Sequence, residues 1–206
     1  MPDLNLDVTV IIPAYQAADT IERAIMSVAA QSVLPREVVV VDDGSTDGTD
    51  NLARAMSTEL GNTSLTVIRQ ENAGPGAARN KGVLTAKSRI LAFLDADDEW
   101  LPEHLEASLR HFEAGTADMT CHNEWLVVDG EESLNDSLSR RQENTSAFVA
   151  IYRKGCISTS TVLVQKGCVE AGGGFDPDLA NGQDVDLWLS ILSNPDNRLI
   201  AFADPL

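Results

Sequence analysis

Basic residues, cysteines and long apolar runs are scarce in this chain, and each scarcity argues against a class of protein. The 206 residues include 15 Lys and Arg against 32 Asp and Glu, which gives a formal net charge of −17. A protein that binds a nucleic-acid backbone needs a basic surface, so we expect no nucleic-acid partner. For the same reason an anionic ligand would need a bridging cation or a local basic group.

The cysteines form no recognisable framework. Cys121, Cys156 and Cys168 are an odd number without a CxxC spacing, which argues against disulfides and a structural zinc site. Residues 1–7 lack the basic and apolar regions of an export signal, and no stretch reaches the ~18 apolar residues of a membrane span. We expect a reducing, cytoplasmic location, with any membrane association carried by residues beyond Leu206.

Strand and helix patterns alternate through the first hundred residues. Apolar runs typical of buried strands occupy residues 8–13, 37–42, 65–69 and 90–94. Segments with helical periodicity follow Asp19 and cover residues 47–60 and 76–86. This alternation predicts a doubly wound, mostly parallel α/β sheet with helices on both faces. Because 43% of the residues are hydrophobic, we expect one core and a single domain over residues 1–206.

The pattern changes after residue 102. It predicts helices over residues 103–112 and 183–193, and strands over residues 119–128 and 158–164. Residues 129–145 are rich in polar side chains and predict a mobile loop on the ligand side of the sheet.

Two aspartate clusters follow apolar runs. Residues 38–43 read Val-Val-Val-Val-Asp-Asp, and residues 91–98 read Leu-Ala-Phe-Leu-Asp-Ala-Asp-Asp. Open parallel sheets bind ligands at the carboxyl ends of their strands, where both clusters would lie. Clustered carboxylates repel one another unless solvent, hydrogen bonds or a hard divalent cation offsets the repulsion. The second cluster therefore predicts a metal site.

Several nucleotide and calcium motifs do not fit. Residues 74–79 read Gly-Pro-Gly-Ala-Ala-Arg, which puts Arg79 where a dinucleotide fingerprint needs its third glycine, and no Walker sequence is present. A calcium loop starting at Asp95 would place Trp100 where a glycine must turn the chain. Neither a Rossmann dehydrogenase nor a P-loop NTPase is predicted.

Six segments, in order, resemble the motif series of the family 2 glycosyltransferases. They are residues 10–15, 37–50, 71–82, 93–98, 173–176 and 183–184. Each motif is weak alone, but six in register over nearly the whole chain make coincidence implausible. The resemblance implies a GT-A fold, a nucleoside-diphosphate sugar donor of UDP type, Mg²⁺ or Mn²⁺, and inversion at the anomeric carbon. Residues 1–100 would form the nucleotide-binding half, and residues 101–206 an acceptor-binding half truncated at its C-terminus.

The resemblance assigns three residues to the nucleobase. Pro13 and Tyr15 would flank the base at the end of the first strand, and Asp43 would accept a hydrogen bond from its edge. Asp42 would belong to the scaffold. Two alternatives remain open: Tyr15 could be a core or rim tyrosine, and the two aspartates could simply cap the following turn.

For the diphosphate and metal, the resemblance points to the second aspartate cluster. Asp95 and Asp97 match the DxD pair, and on an extended segment both side chains would face the same way, with Asp95 toward the ribose and Asp97 toward the metal. Arg79, at a predicted helix start, could serve the diphosphate, hold Asp95 in place, or be an ordinary helix-start arginine.

On the acceptor side, Asp184 matches the family's acidic residue and would remove the proton of the attacking hydroxyl. Gln183 precedes it where the family usually has Glu, and Gln16 stands where Asn commonly follows the tyrosine. Trp100 and Trp188 could stack on sugar rings or belong to the core.

The predicted function is thus transfer of a sugar to a carbohydrate or lipid-linked acceptor, as in the synthesis of cell-envelope polysaccharides. One alternative is a nucleotidyltransferase, which should have a Gly-rich, basic loop after the first strand. The other is a nucleotide-sugar-binding module without activity.

Overall fold

A computed structural model describes residues 7–136, 146–154 and 157–206. The first half contains, in chain order, β1 (Val8–Ala14), α1 (Ile21–Ala29), β2 (Glu37–Asp42), α2 (Thr49–Ala55), β3 (Ser64–Arg69), α3 (Pro75–Thr85) and β4 (Ile90–Phe93). The second half contains α4 (His104–Glu113), β5 (Met119–His122), β6 (Glu124–Val128), β7 (Glu131–Asn135), α5 (Ala147–Lys154), β8 (Leu163–Gln165), α6 (Lys166–Ala171), α7 (Gln183–Ser193) and β9 (Leu199–Phe202). Two short 3-10 helices, Met56–Thr58 and Thr159–Thr161, complete these elements.

Seven strands form the main sheet in the order β3-β2-β1-β4-β8-β5-β9. All pairs are parallel except those of β8, which runs antiparallel to both β4 and β5. The chain moves outward from β1 to β3 and then returns to place β4 on the other side of β1. The strand order therefore reverses between β1 and β4, which is where such sheets form a ligand crevice.

Helices cover both faces of the sheet. Alternate residues of its strands point to opposite faces, so each strand contributes to two cores. On one face, Val10 and Ile12 of β1 belong to a core that includes residues of α1 and α4. On the other, Ile11 belongs to a second core with residues of α3 and α7. Burial on both faces explains why these strands are apolar runs without a polar alternation.

Helix α3 packs unusually close to the sheet. A Cβ atom at Gly82 would lie 2.4 Å from Cγ2 of Ile11, so only glycine fits there without a shift of β1 or α3. This contact sets the distance between α3 and β1, and the candidate site lies beside the start of α3 and the end of β1.

The structure corrects the predicted strand over residues 119–128. Its residues are divided between β5 in the main sheet and β6 in a separate hairpin with β7, and the division falls at the buried Asn123. The Asn123 amide donates to Asp136 and to the carbonyl of Ala203, so the chain leaves the main sheet at this point.

The predicted mobile loop over residues 129–145 was also wrong in part. Asp129 and Gly130 have φ angles of 53° and 81° and form a two-residue hairpin turn, and Glu131–Asn135 is a strand paired with β6. An Asp-Gly pair with both residues at positive φ is typical of such hairpins. Residues 137–145 lie outside the described part of the chain.

The other differences are shifts of boundaries and missed helices. The predicted strand over residues 158–164 begins instead with the Thr159–Thr161 3-10 helix, and α5 and α6 were not predicted. The predicted helix over residues 183–193 is confirmed as α7. Among the helices of the described residues, none combines the length and apolarity that crossing a membrane requires.

Candidate active site

A cleft of about 580 Å³ lies beside the carboxyl ends of β1, β2 and β4 and the start of α3. Six of the seven residues singled out from the sequence line it: Pro13, Tyr15, Asp43, Arg79, Asp95 and Asp97. They come from four separate segments that meet because the carboxyl ends of parallel strands lie at one edge of the sheet. The seventh residue, Asp184, is not part of the cleft lining.

The loops after β1 and β2 are joined by hydrogen bonds. The backbone N–H of Gln16 donates to Oγ of Ser45 at 2.9 Å, and the side-chain carbonyl oxygen of Gln16 accepts from the backbone N–H of Thr46 at 2.8 Å. Gln16 has a φ of 50°, a conformation more usual for Asn or Gly. These bonds hold the preceding Tyr15, whose side chain is not in the core because the residue is 55% exposed at the edge of the cleft.

Asp43 is buried and accepts three hydrogen bonds. Oδ1 accepts from Nε2 of Gln70 at 2.8 Å and from the backbone N–H of Ala73 at 3.0 Å, and Oδ2 accepts from the N–H of Gly74 at 2.8 Å. A carboxylate has about four acceptor positions, so one remains for a ligand. Asp43 therefore orders the start of α3 and can still accept from a ligand in the cleft.

Asp42 has a different environment. It is fully buried, Oδ1 accepts from the backbone N–H of Ser45 at 3.1 Å, and Oδ2 lies 3.6 Å from Nε of Arg69. Arg69 also donates to the carbonyl of Ser45 at 2.6 Å. Asp42 is thus held within the turn, as expected of a scaffold residue.

Arg79 lies in the first turns of α3, with its side chain almost fully buried. One terminal nitrogen donates to Oδ1 of Asp95 at 2.6 Å, and the guanidinium carbon lies 5.5 Å from the centre of the Phe175 ring. Arg79 therefore does hold Asp95, one of the roles considered from the sequence. Its Nε–H is buried and has no hydrogen-bond partner among the described residues. Arg79 itself is among the residues that line the cleft.

The segment with Asp95 and Asp97 is a turn and not the extended segment predicted from the sequence. The N–H of Asp98 donates to the carbonyl of Asp95 at 3.1 Å, which closes the turn. Asp97 is exposed at its tip and lines the cleft. Both side chains still line the cleft, but the turn places them there, and not the alternation of side chains along an extended chain.

No group of three His, Cys, Asp or Glu side chains among the described residues could hold a metal ion alone. The Asp97 carboxylate makes no hydrogen bond or ion pair within that part of the chain. Mg²⁺ is commonly bound through one or two carboxylates together with substrate phosphates and water. The geometry fits a cation of this kind that arrives with a phosphorylated ligand.

Asp98 borders the site and is held by Ser160. Its Oδ2 accepts from the Ser160 hydroxyl at 2.5 Å. Although the residue is exposed overall, its carboxyl group is largely desolvated, and this desolvation raises the pKa of Asp98 to about 6. The negative charges of Asp95 and Asp97 act in the same direction, while the Ser160 hydrogen bond opposes them.

Asp184 lies in the first turn of α7 and is half-buried. Its Oδ2 accepts from the Thr159 hydroxyl at 3.0 Å, and its Oδ1 accepts from the N–H of Val185 at 2.8 Å. Thr159 directly precedes Ser160, so Asp184 is connected to the Asp95–Asp98 turn through two adjacent residues. The sequence did not point to this connection, although four consecutive hydroxyl residues at 158–161 mark the place.

Trp100 and Trp188 are wall residues and not sugar platforms. Trp100 is 5% exposed and Trp188 is fully buried, so neither ring presents a face to a ligand. Trp188 and Phe175 pack around Phe93, with ring centres about 6 Å apart or closer. The backbone of Phe175 exchanges two hydrogen bonds with the Asn80 side chain, which fastens the Gly173–Asp176 motif to α3.

Solved structures identify the fold. The chain superposes on TarS of S. aureus with a TM-score of 0.76 at 24% identity, covering 96% of this chain and 35% of TarS. It superposes on the mannosyltransferase PcManGT of Pyrobaculum calidifontis, solved with GDP-Man and Mn²⁺, with a TM-score of 0.71 at 23% identity, covering 100% of this chain and 57% of that one. The predicted GT-A fold is confirmed.

Sequence comparison identifies the family. The family described as "Glycosyl transferase family 2" matches residues 9–160. A protein named as a teichuronic acid biosynthesis glycosyltransferase, TuaG of Bacillus subtilis, is 31% identical over 187 residues, which are 90% of this chain and 71% of TuaG. The glycosyltransferase AglE of Haloferax volcanii is 34% identical over 86% of this chain and 59% of its own length. The chain belongs to glycosyl transferase family 2.

Proposed function

We propose that this chain is the donor-binding and catalytic domain of an inverting glycosyltransferase. It would move a sugar from a nucleoside-diphosphate donor to an acceptor hydroxyl. The observation that carries the proposal is the meeting of four motif segments at one cleft, at the point where the strand order reverses. TarS has been solved with UDP-GlcNAc, which supports a donor of this class and, among nucleotides, UDP first.

The nucleobase would lie between the loops after β1 and β2. Tyr15 offers an exposed ring for stacking, and Pro13 lines the same end of the cleft. Asp43 has one free acceptor position for an N–H of the base edge. Because Asp43 also fixes the start of α3 through Gly74, base binding and the position of Arg79 are coupled.

The diphosphate would lie between the start of α3 and the Asp95–Asp98 turn. Backbone N–H groups at a helix start favour an anion, and the Arg79 guanidinium, which belongs to the cleft lining, adds positive charge there. Asp97 would hold Mg²⁺ or Mn²⁺, and the bound ion would stabilise the charge on the departing nucleoside diphosphate. Without this cation, Asp95, Asp97 and the diphosphate would repel one another.

Asp184 would act as the base. In an inverting transfer, the acceptor oxygen bonds to the anomeric carbon while the bond from that carbon to the diphosphate oxygen breaks. The proton of the acceptor hydroxyl goes to a base on the opposite face of the sugar, and a carboxylate suffices because the hydroxyl becomes acidic as attack proceeds. Asp184 lies outside the donor cleft yet is connected to its edge through Thr159, consistent with a role on the acceptor side. The acceptor would be a carbohydrate or a lipid-linked molecule.

A thermal-shift series tests the donor assignment. UDP, GDP, ADP and CDP are compared with Mn²⁺, with Mg²⁺ and with EDTA, because a ligand that binds only the folded state raises the melting temperature. We expect UDP to stabilise the protein most, and several times more with Mn²⁺ than with EDTA. No metal-dependent shift with any nucleotide would refute the proposal.

A further inference from the structure

The Thr159–Thr161 3-10 helix, called here the hydroxyl turn, lies between the donor-side carboxylates and Asp184. All three residues are at most 5% exposed, and each hydroxyl has a different partner. Since a hydroxyl in a low-dielectric environment is costly to bury, their presence at this point needs an explanation beyond packing.

Ser160 makes three hydrogen bonds to one short segment. Its Oγ accepts from the N–H of Asp95 at 3.1 Å and donates to Oδ2 of Asp98 at 2.5 Å, and its carbonyl accepts from Nε1 of Trp100 at 2.7 Å. These bonds reach both ends of the Asp95–Asp98 turn. Within the described residues, Asp97 at the tip of that turn makes no hydrogen bond or ion pair, so its position depends on how the turn is held.

Thr159 makes a hydrogen bond to a carboxylate on the other side of the hydroxyl turn, that of Asp184. Its hydroxyl donates to Oδ2 of Asp184 at 3.0 Å, which orients the carboxylate through the oxygen not engaged by Val185. Adjacent Cα atoms are ~3.8 Å apart, so the partners of Thr159 and Ser160 are held within a fixed distance of each other.

We propose that Ser160 and Thr159 are positioning residues of the transfer reaction, Ser160 for the metal-holding turn and Thr159 for the base. The inference rests on the proposed function. In-line displacement requires the base and the leaving group to be aligned on opposite sides of one carbon atom, and a misplacement of an ångström is costly. The hydroxyl turn sets that alignment by joining two halves of the site that lie far apart in the sequence.

Substitutions of these two neighbouring residues should then affect different quantities, donor binding for Ser160 and the rate of the chemical step for Thr159. Loss of the Ser160 hydroxyl should weaken metal-dependent donor binding, because it loosens the turn that carries Asp97. Loss of the Thr159 hydroxyl should slow the chemical step and leave donor binding unchanged. A merely structural hydroxyl would not separate binding from chemistry in this way.

The test compares Ser160→Ala, Thr159→Val and the control Thr161→Val. Thr161 is in the same turn and equally buried, but its hydroxyl donates to the Ser158 carbonyl and not to a site carboxylate. The probes are UDP with Mn²⁺ by calorimetry, and release of nucleoside diphosphate from UDP-GlcNAc or GDP-mannose, whichever the wild type cleaves with water as acceptor. Melting temperatures measured alongside report the structural cost of each change.

We expect Ser160→Ala to weaken UDP binding in Mn²⁺ roughly 10-fold, the size of one hydrogen bond to a charged group. Thr159→Val should lower the cleavage rate roughly 10-fold with UDP affinity unchanged, and Thr159→Ser should restore it. Thr161→Val should change neither. If Ser160→Ala does not fold, Ser160→Cys replaces it. A thiol is similar in size to the hydroxyl but a weaker hydrogen-bond donor and acceptor, so we expect the same loss of UDP affinity.

Equal changes of affinity and rate in the Ser160, Thr159 and Thr161 variants would make the turn structural only and overturn the inference. Unchanged kinetics in the first two would overturn it as well. A wild-type protein that shows no metal-dependent binding of UDP, GDP, ADP or CDP and cleaves neither donor would refute the proposed function itself, and this inference with it.

Discussion

Asp97 and Asp184 differ in how the protein holds them, and the difference matches their proposed roles. Asp97 is exposed and unpaired within the described chain, as suits a ligand that shares its cation with a mobile diphosphate. Asp184 accepts two hydrogen bonds that fix its plane. A base must be aligned before the acceptor arrives, whereas a metal ligand can be ordered by the metal.

For Asp97, we expect Asp97→Asn to abolish the extra stabilisation that Mn²⁺ gives in the presence of UDP, while UDP alone still stabilises slightly. The amide keeps the shape but removes the charge that a hard cation prefers. Melting temperatures with and without EDTA are the measurement. Glu99→Gln, a nearby exposed carboxylate that pairs with Arg23, should retain the metal effect. A metal effect that survives in Asp97→Asn would reassign the site.

For Asp184, we expect Asp184→Asn to leave calorimetric donor affinity within about twofold of wild type and to lower transfer by ~10² to 10⁴-fold. The amide cannot take the proton but retains most of the hydrogen bonding. Asp186→Asn is the matched control, because Asp186 lies in the same first turn of α7 and is exposed. Loss of donor affinity equal to the loss of rate would mean that Asp184 orders the donor site instead.

For single residues, the sequence located side chains that line the cleft but not their hydrogen-bond partners. Asp43 directly follows β2, Asp95 and Asp97 come two and four residues after β4, and the parallel sheet brings such positions together. Ser160 escaped notice because its bond to Asp98 spans 62 positions and depends on where β8 enters the sheet. Hydrogen bonds between distant segments leave no periodic signal in the sequence.

Among the elements, α3 is the one that links the sheet to the cleft, and its closeness to β1 is testable. Gly82→Ala would bring a methyl group within 2.4 Å of Ile11, so we expect the free energy of unfolding to fall by ~1–3 kcal/mol. Gly167→Ala is the control, because Gly167 is helical with nothing within 4 Å, and it should raise stability by ~0.5–1 kcal/mol. Urea unfolding measures both. Equal effects would mean that α3 can move away from the sheet at little cost.

Element boundaries were predicted best where both faces are buried. Strands β1, β2 and β4 are continuous apolar runs, and each was found to within a residue or two. The β6–β7 hairpin was missed because Trp125 to Val128 continue the apolar pattern of β5, although these residues are exposed. The Asp129–Gly130 turn was the local signal that separates the two strands. The direction of β8 could not be predicted, since alternation of side chains is the same in parallel and antiparallel strands.

Across the whole molecule, α4 and β5 meet below the site through a buried histidine pair. The Asn123 carbonyl can only accept, so Nδ1 of His122 donates to it at 2.6 Å, and Nε2 of His122 accepts from Nδ1 of His104 at 2.7 Å. His104 also stacks on Trp100, with ring centres 4.0 Å apart, and Trp100 donates to Ser160. The pair is thus connected to the hydroxyl turn through Trp100. A proton on Nε2 of His122 would set two donors against each other, and a proton on His104 would place a charge in a desolvated site.

The histidine pair should contribute a loss of stability as the pH falls. Desolvation lowers the pKa of His122 to about 4, and it lowers that of His104 well below its usual value, with His122 contributing. A histidine with a depressed folded-state pKa binds its proton more readily in the unfolded chain. Its contribution to stability is present above the unfolded pKa of ~6.5 and is lost as the pH falls toward 4. For His122, a fall from pH 7 to pH 5 removes about 2 kcal/mol, at 1.36 kcal/mol per pKa unit.

Asp98 acts in the opposite sense, because its raised pKa makes the folded state the better proton acceptor between pH 6 and 4. The prediction is therefore a difference between two proteins that share Asp98. The advantage of wild type over His122→Gln in unfolding free energy should shrink by about 2 kcal/mol between pH 7 and pH 5. Urea unfolding at both pH values measures it. A constant difference would mean that water reaches the His122 ring, and that the contact between α4 and β5 is looser than the hydrogen bond between their histidines requires.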